Sequence, residues 1–264
     1  MRRPWAILLV IGALGGLGAA GCSSATTPNG QVTTDGTEVV RFPFEGSPDL
    51  TDQQQTVQVL NTRFEAAGLN AQAQLVDGSV AVVGTSDHPA SAAQIRALSS
   101  PGSLHFQPVL TTEPVVPSSS PATTDAPDVS RSGQLVEVDA DGQVVARYTV
   151  GPGTVDGTAL EGAVANLDQR GKWEIRPVFK AGADGIDRFN AVAGLCFSKS
   201  TECPTGQLAV ILDTRVLTAP SINARSFERD QISISGNYDE SQAKTVAAVL
   251  NSGALPATLR IDGN

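Results

Sequence analysis

The sequence predicts an α+β protein made of a ferredoxin-like βαββαβ module at residues 37–110 and a second α+β module at 132–262. Three observations carry this. Runs with helical spacing alternate with runs of strand spacing along the whole chain. Paired β runs flank short polar breaks at Asp77-Gly78, Asp141-Gly142 and Asp213-Thr214, as in hairpins. A stretch rich in Pro, Ser and Thr, residues 111–131, separates the two halves as a linker or insertion loop.

The first 22 residues, MRRPWAILLVIGALGGLGAAGC, place two arginines before an apolar core and small residues before a cysteine. This is the layout of an export signal. Ala19-Ala20-Gly21-Cys22 resembles a bacterial lipobox, in which the cysteine is acylated and becomes the first residue of the mature protein. The alternatives are a plain signal peptide cleaved nearby, or an uncleaved anchor helix, for which the run is short and glycine-rich. Gly16, Gly18 and Gly21 spell the spacing of a dinucleotide-binding loop. No strand precedes them and no helix follows, so that reading fails. Residues 23–36 are Ser-, Thr-, Gly- and Pro-rich and read as a flexible tether.

The first module opens on EVVRFPFEG, a strand with Val40, Phe42 and Phe44 on one face. An amphipathic helix follows in LTDQQQTVQVLNTRFEAAGL. Its apolar stripe is Val57, Leu60 and Phe64, and Gly68 sits at its end. NAQAQLVDGSVAVVG alternates around Asp77-Gly78, SAAQIRALSS is a short helix, and SLHFQPVL is a further strand. Strand, helix, hairpin, helix and strand is the order of a split βαβ unit.

In the second module, GQLVEVDADGQVVARYTVGP reads as a hairpin. Its acidic turn imitates the opening of a calcium loop, but Tyr148 stands where such a loop needs a bidentate Glu. TVDGTALEGAVANLD reads as a helix, WEIRPVFK as a strand and AGADGIDRFNAVAGLC as another helix. Next come the Gln207–Asn223 hairpin and the half-buried strand DQISISG, with Ile232 and Ile234 on one face. In DESQAKTVAAVLNSG, Asp239 caps the first turn and Gln242 completes a capping box. Ala243, Val246, Ala247 and Leu250 form one apolar stripe, Gly253 ends the helix, and ALPATLRI is a last strand.

Composition limits the chemistry. The chain has 264 residues, 41% apolar and 17% charged, as a folded protein does, while aromatics are scarce at 5%. Cores built of Val, Leu, Ile and Ala suit small modules better than a deep ligand cavity. The formal net charge is −9, which argues against nucleic acid or an anionic lipid surface as a partner recognised by charge. No G-x-S-x-G, H-E-x-x-H or P-loop occurs. His88 lies in a polar turn, and His105 lies on the strand face opposite Leu104. Asp213 and Asp239 have turn and cap roles. No catalytic residue, metal site or cofactor is therefore expected. With Cys22 lipidated, Cys196 and Cys203 remain, an even pair in an exported protein and so most simply a disulfide.

The run LAVILDTRVLTAPSI, followed by QISISGNYDESQAKTVAAVLNSGALPATL, resembles the extracytoplasmic P1 region of the protein-export membrane protein SecD. The resemblance is ordered over Gln207–Leu259, continues through most of Val155–Leu259 as the segment called the P1 head, and is weaker back to Glu38. Thr214 stands where the family usually has Gly, so a wider hairpin tip is expected. The resemblance implies a SecD P1 head-like fold, and by analogy an accessory of protein export on the outer face of the cytoplasmic membrane. Its partners would be Sec translocon components or unfolded exported polypeptides, with the membrane reached through a lipid anchor. The proton-carrying residues of the family lie in membrane helices that have no counterpart in this sequence, so none is transferred. An adaptor or scaffold of the cell envelope without an export role is the alternative, and a carrier of a small or lipidic ligand is a third reading. As a polypeptide-binding surface the sequence offers Val216, Leu217, Ala219, Pro220 and Ile222, because Pro220 suits a strand edge or end.

Overall fold

A computed structural model describes residues 38–84, 90–115, 134–138, 143–153 and 155–261. The export signal at 1–22 with Cys22, the tether at 23–36, His88, residues 116–131 of the expected linker and the Asp141-Gly142 turn lie outside the described residues.

The N-terminal elements follow their local signals. They are β1 (Glu38–Pro43), α1 (Leu50–Ala66), β2 (Ala71–Val76), β3 (Ser79–Gly84) and α2 (Ala92–Leu98). Asp49 accepts the Asp52 N–H at the start of α1, and Ser91 and Gln94 form a reciprocal capping box on α2. Asp77 (φ 50°) and Gly78 (φ 69°) both turn through the left-handed region, which closes the β2–β3 hairpin in two residues. The three strands pair antiparallel in the order β1-β3-β2. Phe42, Leu60, Phe64, Val80, Ile95 and Leu98 bury together beneath them.

The expected ferredoxin-like unit is realised up to α2 and then departs. Its fourth strand, β4 (Leu104–Pro114), does not join this sheet, and its last residues are strand where a linker was expected. The flank of β1 is met instead by the C-terminal segment, through the Phe44–Leu259 bridge. Glu45 N–H donates to Thr258 O at 2.9 Å and Arg260 N–H to Pro43 O at 2.8 Å. The expected last strand is thus a short return onto the N-terminal sheet.

β4 belongs to a larger sheet with β5 (Gln134–Val138), β6 (Val144–Val150), β7 (Val155–Asp156), β10 (Leu208–Leu212) and β11 (Arg215–Thr218). The extra β10–β4 pairing closes β4, β10, β11, β5 and β6 into a ring. Each ring strand sends side chains inward: Val109, Leu135, Ala146 and Tyr148, Ala209 and Ile211, and Val216. The two alanines keep the interior narrow enough to fill. Leu208 and Val210, alternating with these on β10, face the opposite way into a second core.

That second core is covered by β8 (Leu160–Leu167), β9 (Trp173–Phe179) and β12 (Ile234–Tyr238), in the order β12-β9-β8. Two helices, α3 (Ile186–Phe197) and α4 (Glu240–Ser252), pack on it. Phe106, Phe179 and Phe189 stack at its centre, with ring centroids 4.9–5.5 Å apart. Gly185 is required before α3, because a Cβ there would lie 2.0 Å from the Lys180 carbonyl oxygen.

TVDGTALEGAVANLD, expected as a helix, is the short strand β7, one 3-10 turn and the long strand β8. A register shift between Leu160 and Gly162 places Leu160 and Ala163 on the same buried side, which imitates the i, i+3 spacing of a helix. Past it the alternation is that of a strand, with Val164 exposed and Ala165 turned to the core.

α4 joins the two cores. Asp239 and Gln242 cap it reciprocally, and Gly253 leaves it at φ 71°. Ala243, Ala247 and Leu250 face the phenylalanine core, while Ala248 and Val249 face the N-terminal one. Three alanines of this thirteen-residue helix let two layers approach it closely. The described residues of Thr34–Asn264 form one compact unit.

Candidate functional site

A groove of about 640 Å³ opens where α2 and α4 face the β10–β11 hairpin, the end of β5 and the edge of β12. Its apolar walls come from Ala97, Val138, Val145, Leu217, Val246 and Val249. Glu137, Arg215, Asn237 and Tyr238 are among its polar residues. The Tyr148 hydroxyl, on the neighbouring barrel strand, donates to Glu137 Oε2 at 2.6 Å and fixes that carboxylate. Burial first, then the Glu137 hydrogen bond, pushes the Tyr148 phenol upward. The Tyr238 phenol is pushed up to about 12 by burial and by the Glu137 charge, against the opposing pull of Arg215. Both rings therefore stay neutral at physiological pH. The groove offers apolar walls together with a few polar groups that could orient a bound segment. Among the described residues that line it, none pairs a nucleophile with a base.

The groove is braced from beneath by Arg63 of α1. Its guanidinium is wholly buried and uses its donors fully. Nε donates to Ser252 Oγ (2.8 Å), Nη1 to Leu98 O (2.7 Å) and Ser100 O (2.6 Å), and Nη2 to Pro101 O (3.2 Å) and Gly253 O (2.7 Å). One side chain thus satisfies carbonyls at the C-terminal ends of both α2 and α4, where the helix dipole favours a cation. Burial pushes the guanidinium down to about 10, opposed by Asp213, so it remains charged at neutral pH. The sequence carried one signal for it: Arg63 sits between Leu60 and Phe64 in the apolar stripe.

Asp213 couples this brace to the hairpin. It turns at φ 58°, and Oδ1 accepts the N–H groups of Gly102 (2.7 Å) and Ser103 (2.9 Å). The tip is not widened by Thr214 as expected, since Leu212 and Arg215 pair directly across Asp213-Thr214. Asp213 supplies the left-handed residue, so Thr214 need not.

The structure divides the residues offered by the sequence as a polypeptide-binding surface among different places. Val216 and Leu217 line the groove, Val216 being buried in the barrel interior. Ala219 packs on the barrel core, Ile222 packs on the phenylalanine core, and Pro220 is exposed. Nor is β11 an edge strand, because β10 pairs on one side and β5 on the other. Beyond it, Ile222 N–H donates to Gly206 O at 2.9 Å and Leu208 N–H to Pro220 O at 3.1 Å. Pro220 marks a strand end, which leaves the groove rather than an edge as the candidate surface. Cys196 and Cys203 are joined, with Cα atoms 4.8 Å apart, and clamp the end of α3 to the turn before β10.

Residues 134–257 match the family model described as SecDF, P1 head subdomain. A protein translocase subunit SecD of Endomicrobium trichonymphae is 42% identical over 74 residues, which are 28% of this chain and 16% of that protein. The SecD subunit of Streptomyces coelicolor is 29% identical over 118 residues, 44% of this chain and 20% of that one. The similarity extends further in the SecD subunit of Rhodobacter capsulatus, 28% identical over 234 residues, 86% of this chain and 38% of that one. The chain thus spans 16–20% of the length of the first two relatives. Among solved structures, SecDF in a super-membrane-facing form superposes with a TM-score of 0.56 at 24% identity, covering 84% of this chain and 29% of that one. A structure of the membrane component SecDF that enhances protein export gives 0.54 at 22% identity, covering 85% and 97%. At these identities the two structures establish the mixed α/β fold.

Proposed function

We propose, on the premise that residues 134–257 are a SecD P1 head-like region, that this chain is a non-enzymatic accessory of protein export. It sits at the outer face of the cytoplasmic membrane and transiently holds an emerging or unfolded polypeptide in the groove between α4 and the β10–β11 hairpin. The family match carries the reading. The groove supports it physically, since apolar walls with a few fixed polar groups suit scattered apolar side chains of no particular sequence. Binding is expected to be weak, because a shallow groove of this size orders only a short stretch of client.

The test is equilibrium binding of the protein lacking residues 1–22 to a secretory protein held unfolded, with its folded form as control. The unfolded form should bind and the folded form should not. Leu217→Asp, which sets a charge on the apolar wall, should weaken binding about tenfold or more. No binding to any unfolded client, together with no crosslink to Sec components in cells, would remove the export reading. The envelope scaffold would then stand in its place.

Attachment to the membrane is assigned to a lipid on Cys22. No helix among the described residues is long and apolar enough to cross a membrane. Cys22→Ala should leave an unprocessed precursor that takes up no labelled fatty acid. Normal processing and labelling of that variant would defeat the anchor.

A further inference from the structure

Among the described residues, three buried side-chain oxygens have no hydrogen-bond partner: Asn166 Oδ1, Ser200 Oγ and the Tyr238 hydroxyl. Of these, Tyr238 lines the groove. A buried hydroxyl without a partner costs stability, because folding strips its water and returns nothing. Phenylalanine would fill the same space without that cost. The ring has a clear place, since it packs on the phenylalanine core and folds across Gly236, where a Cβ would lie 2.6 Å from Tyr238 Cε2. Packing explains the ring and not the oxygen.

The surroundings of this hydroxyl carry both charges. After burial, the groups that act on the phenol are Glu137, which pushes it up, and Arg215, which pulls it down. Both line the groove. Glu137 accepts from Tyr148 through one oxygen, Oε2, and keeps a second. Asp213, the other carboxylate of the groove, is taken up by the N–H groups of Gly102 and Ser103. Arg215 is exposed, and among the described residues it has no ion-pair partner. One corner of the groove thus holds two donors, the hydroxyl and the guanidinium, beside one acceptor, the Glu137 carboxylate. A peptide group presents the complement, a C=O acceptor and an N–H donor.

We infer that Tyr238, Arg215 and Glu137 bind one peptide group of the client's main chain. The hydroxyl and guanidinium donate to its carbonyl oxygen, and Glu137 accepts its N–H. This rests on the polypeptide-binding reading above and names what the groove reads, which is backbone rather than side chain. An unfolded chain offers such a group at every residue, whereas a folded one has paired nearly all of its own. The corner therefore selects unfolded chains without selecting a sequence. The hydroxyl has to be uncovered for this, and the wall beside it can give. Gly236 and Asn237 are exposed and stand where pairing with β9 shifts between Ser235 and Tyr238, and Arg215 is long and exposed.

The experiment compares the protein lacking residues 1–22 with its Tyr238→Phe, Arg215→Gln and Leu217→Asp variants. Urea titration gives stability. Binding is measured to the unfolded secretory protein and to two dansyl-labelled, C-terminally amidated peptides. One is built of Leu, Gly and Ser and carries no carboxylate, and the other has Asp in place of Ser. Tyr238→Phe should hold the client and the uncharged peptide about threefold to tenfold more weakly, while its urea midpoint stays or rises. Arg215→Gln should weaken both by a similar factor. Unchanged binding by Tyr238→Phe overturns the inference. A lowered urea midpoint does so too, since the hydroxyl would then have a partner inside the protein. An Arg215→Gln effect confined to the Asp peptide also overturns it, because the guanidinium would be reading a side chain. If Leu217→Asp alone weakens binding, the groove reading stands and the main-chain corner falls. A parent that binds neither peptide nor unfolded client removes the groove reading, and the corner with it.

Discussion

Arg63→Ala is expected to destabilise the protein by about 4 kcal/mol, at the upper end of what a single substitution does. The reason is in the partners left behind. Four carbonyl oxygens at the ends of α2 and α4, and around Pro101, lose a charged donor at a place from which water is excluded. Each unsatisfied acceptor costs about 1–3 kcal/mol, less whatever local relaxation recovers. Truncation also opens a void against Gly102, whose ideal Cβ position lies 2.4 Å from Arg63 Nη2. Lysine should rescue little, since a compact ammonium cannot span acceptors arranged for a planar fork. Urea titration of the three proteins measures this. A loss below about 1 kcal/mol for Arg63→Ala would mean that the helix ends do not depend on the guanidinium.

Phe106→Ala should cost about 3–5 kcal/mol, the range for a buried aromatic ring, and Phe106→Leu about 1 kcal/mol. Phe106 is completely buried, 5.4 Å from the Phe189 ring in an edge-on arrangement and 5.5 Å from Phe179. Its strand also connects the N-terminal layer to the rest, running from the Arg63 brace into both the barrel and the phenylalanine core. Both variants should therefore unfold in a single transition, with tryptophan fluorescence and circular dichroism coincident. Two separated transitions, with only the later one moved, would mean that the layers are independent despite sharing β4 and α4.

Local signals were legible wherever the chemistry is local. The Asp239 cap, the Asp77-Gly78 and Asp213-Thr214 hairpins and the apolar stripe of α4 act over three or four residues. Pattern reading fails where a bulge intervenes. At Leu160–Gly162 the extra residue resets the period, and a strand imitates a helix. It fails again at Arg63, whose role depends on acceptors that include a carbonyl 190 residues away.

The sequence by itself determined the α+β class, most elements and their ends, and the similarity of Gln207–Leu259 to the SecD P1 head. These follow from periodicity, capping and turn chemistry, which need only near neighbours along the chain. Tertiary structure alone decided which sheet β4 joins, that β11 is paired on both sides, and that α4 is buried on two faces. It likewise decided that the candidate surface is a groove walled by segments distant in sequence. A strand's pattern states which face is buried but not which strand lies beside it, because backbone pairing is the same for every partner. The choice falls to the side chains that must be buried together, and for β4 these are Phe106 with Phe179 and Phe189.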